Sequence, residues 1–208
     1  ETDIVFPVIH GQYGEDGKLQ YLLEKNNIPF VGAGSYSCNL AFNKQHASEF
    51  LREKGFYVYP FVTLFADRND NSDKIHRFFE LNRLKKAVVK PVNGGSSIGV
   101  YCVYSADEAY EKTKELFEKN LGPVLLEPFC VGREFTIIVL ENDRNEPVAL
   151  LPSEIEMKYE NYQIFDYRRK YLPTAQTRYF TPARFKNEEI QKIRDNVEDL
   201  FKFFNLKD

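Results

Sequence analysis

Strand-like and helix-like stretches alternate along this chain, and that alternation restricts its fold to the α/β class more firmly than any single motif does. "DIVFPVI" (3–9), "YPFVTLFA" (59–66), "PVLLEPF" (123–129), "REFTIIVLEN" (133–142) and "EPVALLPSEIEM" (146–157) are rich in β-branched and aromatic residues and read as strands. Between and after them, "DGKLQYLLEKNN" puts Leu19, Leu22 and Leu23 on one helical face. "PFVGAGS" turns the chain, and Ser35 is an N-cap candidate for the helix that follows. "NKQHASEFLREKG" is the second helix, started by Asn43 and stopped by Gly55. "NSDKIHRFFELNRL" and "NEEIQKIRDNVEDLFKFF" carry the same amphipathic period, and "SADEAYEKTKELFEKN" opens on the capping-box pair Ser105 and Glu108. "NYQIFDYRRKYLPTAQT" (161–177) has neither period and reads as a loop.

Within this pattern, "VVKPVNGGSSIGVY" (88–101) places Lys90 just before a loop containing Gly94, Gly95 and Gly99. Strand-forming residues flank both sides, whereas phosphate-loop and dinucleotide-binding glycine motifs open a helix. The segment therefore reads as strand–loop–strand, either a hairpin turn or a flap of the kind that covers nucleotide phosphates. A lysine on a valine-rich strand needs an anionic partner if it faces inward, because an unpaired buried charge is costly. Lys44 stands at a helix start, where negative side chains are the ordinary choice; a bound phosphate or simple solvation would account for it.

Other candidates also carry two readings. "VIHGQYGEDGKLQ" sets His10, Glu15 and Asp16 between a strand and a helix, where open α/β sheets hold ligands and where a capped turn also falls. Glu127 and Glu134 in "LLEPFCVGREFT" suit an adenine amine and ribose hydroxyls, or are edge carboxylates. Asp166 to Tyr171 crowd charge and aromatic rings into a long loop, as lids do and as exposed basic loops do.

Composition removes several classes. The 208 residues carry a net charge of −3, which argues against a nucleic-acid partner. No apolar run approaches the ~20 residues of a membrane span. Cys38, Cys102 and Cys130 lie far apart, against a disulfide framework or zinc site, so a reducing cytoplasm is expected. The chain begins almost directly on a strand and ends just past a helix, so a piece of a longer protein is expected.

Taken in order and spacing, "HGQYGEDGKLQ", "NK" at 43–44, "VKPVNGGSSIGV", "LLEPFCVGREFT" and "FDYRRKY" resemble the D-alanine–D-alanine ligase family of the ATP-grasp superfamily. The resemblance implies an ATP-grasp fold (α+β in the ATP-grasp part) preceded by the tail of an open α/β domain. It implies domains at 1–43, 44–126 and 127–208. It implies ATP-dependent joining of two D-alanines through an acyl phosphate, for peptidoglycan precursors, in the cytoplasm. Lys44, Lys90 and the backbone of Gly95, Ser96 and Ser97 would hold ATP phosphates; Glu127 would hold adenine and Glu134 ribose, and Phe129 would belong to the ATP site. His10 and Glu15 would line the first D-alanine pocket. Ser96 and Tyr171 would link flap to lid, Lys170 would reach the γ-phosphate, and Tyr171 would mark the dipeptide-forming class. No membrane or nucleic-acid partner is implied, and a homodimer is left open.

This chain departs from the family at Pro128, where a lysine is common. The family's arginine, aspartate and E-x-N segment, which bind Mg²⁺ and the second substrate, do not occur in place. Glu24–Asn26 imitate that segment but fall upstream where a helix ends, and Glu80–Asn82 fall inside a predicted helix. No metal ligand is assigned; the Mg²⁺ ligands are expected beyond residue 208, and these 208 residues alone are expected to be inactive. The alternatives are another ATP-grasp carboxylate–amine ligase or a non-catalytic nucleotide-binding remnant.

Overall fold

A computed structural model describes residues 3–157 and 177–208. Backbone contacts divide them into two units, one of residues 3–42, 132–157 and 177–208, the other of residues 43–131.

The chain enters through residues 3–9, where the expected strand is reduced to one parallel bridge between Val5 and Phe30. Val5 donates to the Pro29 carbonyl at 2.8 Å and accepts from the Val31 N–H at 2.9 Å. The next rung would need an N–H from Pro7, which has none, so the ladder stops. Helix α1 (Lys18–Lys25) follows a left-handed Gly17 and buries Leu23 while Leu22 stays exposed. Helix α2 (Ser35–Phe42) and helix α3 (Lys44–Glu53) are separate elements. Asn43 parts them: its backbone is extended, and its side-chain oxygen accepts the His46 N–H at 2.9 Å, a side-chain N-cap.

The unit of residues 43–131 is built on one antiparallel sheet. Its strands are β1 (Val62–Leu64), β2 (Ala87–Pro91), β3 (Tyr101–Val103) and β4 (Val124–Pro128), ordered β1-β4-β2-β3. Helix α4 (Asn71–Leu81) and helix α5 (Ala106–Glu118) pack on one face. The core between them joins Leu64, Val89, Val103 and Leu126 to Ile75, Phe78, Phe79 and Leu116. Each fully buried side chain of this size contributes ~2 kcal/mol. The expected capping box is half formed. Ser105 Oγ accepts the Glu108 N–H at 3.1 Å, but Glu108 reaches back past Ser105 to the Tyr104 N–H at 2.7 Å.

In the other unit, the stretch read as one strand over 133–142 is two. β5 (Glu134–Thr136) pairs with β8 (Ser153–Met157), and β6 (Val139–Glu141) pairs with β7 (Pro147–Ala149). Thr136 faces Ser153 and Val139 faces Ala149, so residues 137–138 oppose the three residues 150–152. Pro152 lacks the N–H that would continue the ladder there, and the extra residue is accommodated as a bulge. A strand absent from the sequence reading, β9 (Thr177–Phe180), completes the order β5-β8-β9. Buried Glu154 on β8 accepts the N–H, Nε and Nη2 of Arg184 at 3.0, 3.1 and 3.0 Å. Helix α6 (Asn187–Phe203) covers β7, and its Arg194 and Glu198 satisfy the Ala149 carbonyl and N–H at 2.8 and 2.9 Å.

Candidate active site

Strand β2 sorts its residues by face: Ala87, Val89 and Pro91 are buried in the core, so Val88 and Lys90 point to the side without α4 and α5. On β4 the register sets Val88 opposite Glu127 and Lys90 opposite Leu125, so Lys90 and Glu127 are diagonal neighbours on that same face. Lys90 Nζ donates to Glu127 Oε1 in a direct ion pair. The two candidates expected to hold opposite ends of a nucleotide thus hold each other.

Lys44, the first residue of α3, joins them. Its N–H donates to the Val92 carbonyl at 3.0 Å, and its Nζ to the Gly94 carbonyl at 2.7 Å and to Val92 at 3.4 Å. Burial and the charge of Lys90 push its ammonium down to about 8, with Glu127 opposing the shift. An ammonium whose charge is disfavoured in this way gains from an anion placed beside it.

The glycine loop runs from β2 to β3 as a strand–loop–strand. Ser96 and Ser97 both take left-handed backbone, φ 54° and 57°, uncommon for non-glycine residues. Gly99 has φ +71°, and a Cβ there would lie 2.8 Å from Leu116 Cδ2 and 3.1 Å from Pro91 Cγ. Gly95 is different. It has ordinary φ, and a Cβ would meet nothing within 4 Å, so none of the described residues demands glycine there. Its space is open to whatever lies against the loop.

At the far end of the same face, the Phe129 N–H donates to the Lys86 carbonyl at 3.2 Å, and Lys86 Nζ stands 3.4 Å above the Phe129 ring. Lys86 is absent from the sequence-derived set. The alternation Lys86–Val88–Lys90 was the available signal, but only the register shows that both lysines flank Glu127.

In the other unit, Glu15 closes a tight loop. Its Oε2 accepts the Gly11 N–H at 2.7 Å and its Oε1 lies 3.4 Å from His10 Nδ1. Both side chains remain largely exposed, at 92% for His10 and 48% for Glu15. Asp16 beside them is buried; burial raises its carboxyl, yet hydrogen bonds from Lys18 and Tyr13 bring it below the usual range. Glu134 is exposed on β5. Lys170 and Tyr171 lie outside the described residues. Glu24 is occupied by Ser35, whose N–H and Oγ donate to it at 2.8 and 2.6 Å, and Asn82 donates to the Phe78 carbonyl at 2.9 Å. Among the described residues no group of three or more His, Cys, Asp or Glu side chains could hold a metal ion. Nor is any described helix long and apolar enough to cross a membrane.

An antiparallel sheet backed by two helices, with Lys90 on its other face and a glycine loop between β2 and β3, suits an ATP-grasp unit, and the solved structures this chain resembles have that fold. The chain belongs to the D-ala D-ala ligase family: residues 50–208 match the model for "D-ala D-ala ligase C-terminus" and residues 1–33 that for "D-ala D-ala ligase N-terminus". It is 31% identical to the D-alanine–D-alanine ligase of Oceanobacillus iheyensis, covering 100% of this chain and 54% of that protein. Its fold matches the D-alanine–D-alanine ligase of Coxiella burnetii with a TM-score of 0.78 and 28% identity, covering 100% of this chain and 53% of the other. It also matches the VanG D-Ala:D-Ser ligase of Enterococcus faecalis with a TM-score of 0.81 and 30% identity, covering 99% and 57%. The chain spans about half the length of the relatives it matches.

Proposed function

We propose that the protein joins two D-alanines at the expense of ATP, for peptidoglycan precursors in the cytoplasm. The observation that carries this reading is the gathering of Lys44, Lys90 and Glu127 on one sheet face beside a glycine loop, in a chain of this family.

In this reading Lys44 and Lys90 hold the phosphates, and the Gly95, Ser96 and Ser97 backbone closes over them. Preorganised cations are the main resource for phosphoryl transfer, because charge on the moving group must be met as it shifts. Lys44 leaves the Gly94 carbonyl for a phosphate oxygen and recovers its proton affinity there. Glu127 and Phe129 take the adenine and Glu134 the ribose. His10 and Glu15 face the first D-alanine, with Ser96, Lys170 and Tyr171 acting between flap and lid. The γ-phosphoryl passes to one D-alanine carboxylate. The amine of the second D-alanine attacks the resulting acyl phosphate, forming the peptide bond and releasing phosphate. Mg²⁺ accompanies ATP in such chemistry. The described residues gather no metal cage, and none is assigned to the ion.

Two measurements test this together. ATP binding to this chain, by calorimetry, should weaken at least tenfold in Lys44→Ala, a loss typical of a charge-assisted hydrogen bond. In the protein that contains these residues, phosphate release from ATP should require D-alanine and yield D-alanyl-D-alanine. ATP binding unaffected by the substitution, or phosphate release indifferent to D-alanine, would overturn the reading.

A further inference from the structure

His76, in the middle of α4, reaches across to the start of α5. Its Nδ1 lies 2.9 Å from the Ser72 carbonyl oxygen, and its Nε2 lies 3.2 Å from Asp107 Oδ1. Asp107 stands in the first turn of α5, just past the Ser105 cap. Both partners can only accept: a peptide carbonyl has no proton to give, and neither has a carboxylate near neutral pH. A neutral imidazole carries a single N–H. With that proton on Nδ1, the bare Nε2 faces the carboxylate; with it on Nε2, the bare Nδ1 faces the carbonyl. Only the imidazolium donates to both.

We infer that His76 is a pH-sensitive latch between α4 and α5, closed when its ring is protonated and released when the ring is neutral. The surrounding charges act in the same direction. The Ser72 carbonyl raises the imidazole above its ordinary value; desolvation opposes the rise, and Asp107 from α5 and Glu80 from α4 add to it. β1, which also packs on α4, offers only Val62, Thr63 and Leu64 and no ionisable group. The side chains of His76 and Asp107 are 46% and 89% exposed, so the latch has the modest strength of a surface ion pair. Its position gives it reach. Only Tyr104 and Ser105 separate α5 from β3, the strand that receives the glycine loop. A group raised in the folded state stabilises fully below its unfolded value, here about 6.5, and that stabilisation is lost as pH rises through the raised one.

The test combines proton NMR of the imidazole rings with thermal unfolding of four chains: unsubstituted, His76→Ala, Asp107→Asn and the double variant. Of the three histidines, the resonance lost in His76→Ala is that of His76. Its titration midpoint should lie above 6.5 and fall in Asp107→Asn. Asp107→Asn also removes a negative charge from a helix N-terminus, a cost present at every pH that the cycle subtracts. The remaining coupling in Tm should be roughly 1–4 °C at about pH 5.5 and vanish by about pH 8.5. A midpoint at or below 6.5, a midpoint unmoved by Asp107→Asn, or a coupling equal at the two pH values would overturn the inference.

Discussion

Lys90 on β2 and Glu127 on β4 are ion-paired across one diagonal of the sheet, on the face turned away from the core. Their side chains are only 20% and 27% exposed, so each neutralises a charge that would otherwise sit partly desolvated.

Removing one partner should therefore cost more than removing both. Lys90→Ala is expected to lower unfolding stability by about 1–3 kcal/mol, and Lys90→Ala with Glu127→Gln by less than that single change. Urea denaturation of the four chains in the cycle measures it. Additive losses would mean that the pair contributes no coupling.

If Lys44 holds a phosphate as proposed, nucleotide affinity should depend on pH. Its proton is released near pH 8 in the free chain, and a phosphate beside it favours the charged form. Affinity for ATP should be level below about pH 8 and fall above it, by up to about tenfold per pH unit. Without ligand the sign is opposite for stability. Above about 8 and up to the ordinary lysine value of 10.5, the unfolded chain holds more protons, so this group makes stability rise with pH. Calorimetry of ATP binding in buffers of different ionisation enthalpy should detect proton uptake above pH 8 that vanishes in Lys44→Ala.

Gly99→Ala should destabilise the residue 43–131 unit by more than about 1 kcal/mol, since φ +71° and contact with Leu116 and Pro91 both oppose a methyl group. Gly95→Ala, with open space and ordinary φ, should leave stability unchanged while weakening ATP binding. Thermal unfolding paired with nucleotide titration separates the two. A stability loss in Gly95→Ala, or unimpaired nucleotide binding by it, would contradict this division.

Tyr171 is expected to keep the second substrate D-alanine rather than D-lactate. With both supplied at neutral pH, the dipeptide should predominate; a mainly ester-linked product would contradict the role.

The sheet of residues 43–131 was legible in advance because its signals are local. "AVVKP" and "GVYCVY" are β-branched runs broken by glycine, and they form β2 and β3 on either side of the loop. Ser105 and Asn43 cap where their side chains predict. The failures depended on a neighbour in space. Residues 3–9 have strand composition, but only Val5 finds a rung before Pro7. Residues 133–142 look continuous until Pro152 is placed across from them. "TRYF" gives no strong local signal and becomes β9 only beside β8. Of the candidate site, residue type singled out Lys44, Lys90 and Glu127. That Lys90 pairs with Glu127, and that Lys86 flanks it, follows from a register no single segment contains.

That register has a second use while the chain is folding. A slip of one residue in β2 would turn Lys90 toward Phe78 and Phe79 and bring Val89 out to the open face. An ammonium driven among aromatic rings without its carboxylate is a costly error, so the misaligned sheet is disfavoured. The charges proposed to meet a nucleotide also bias strand pairing, because only the native alignment keeps Lys90 beside Glu127 and out of the core.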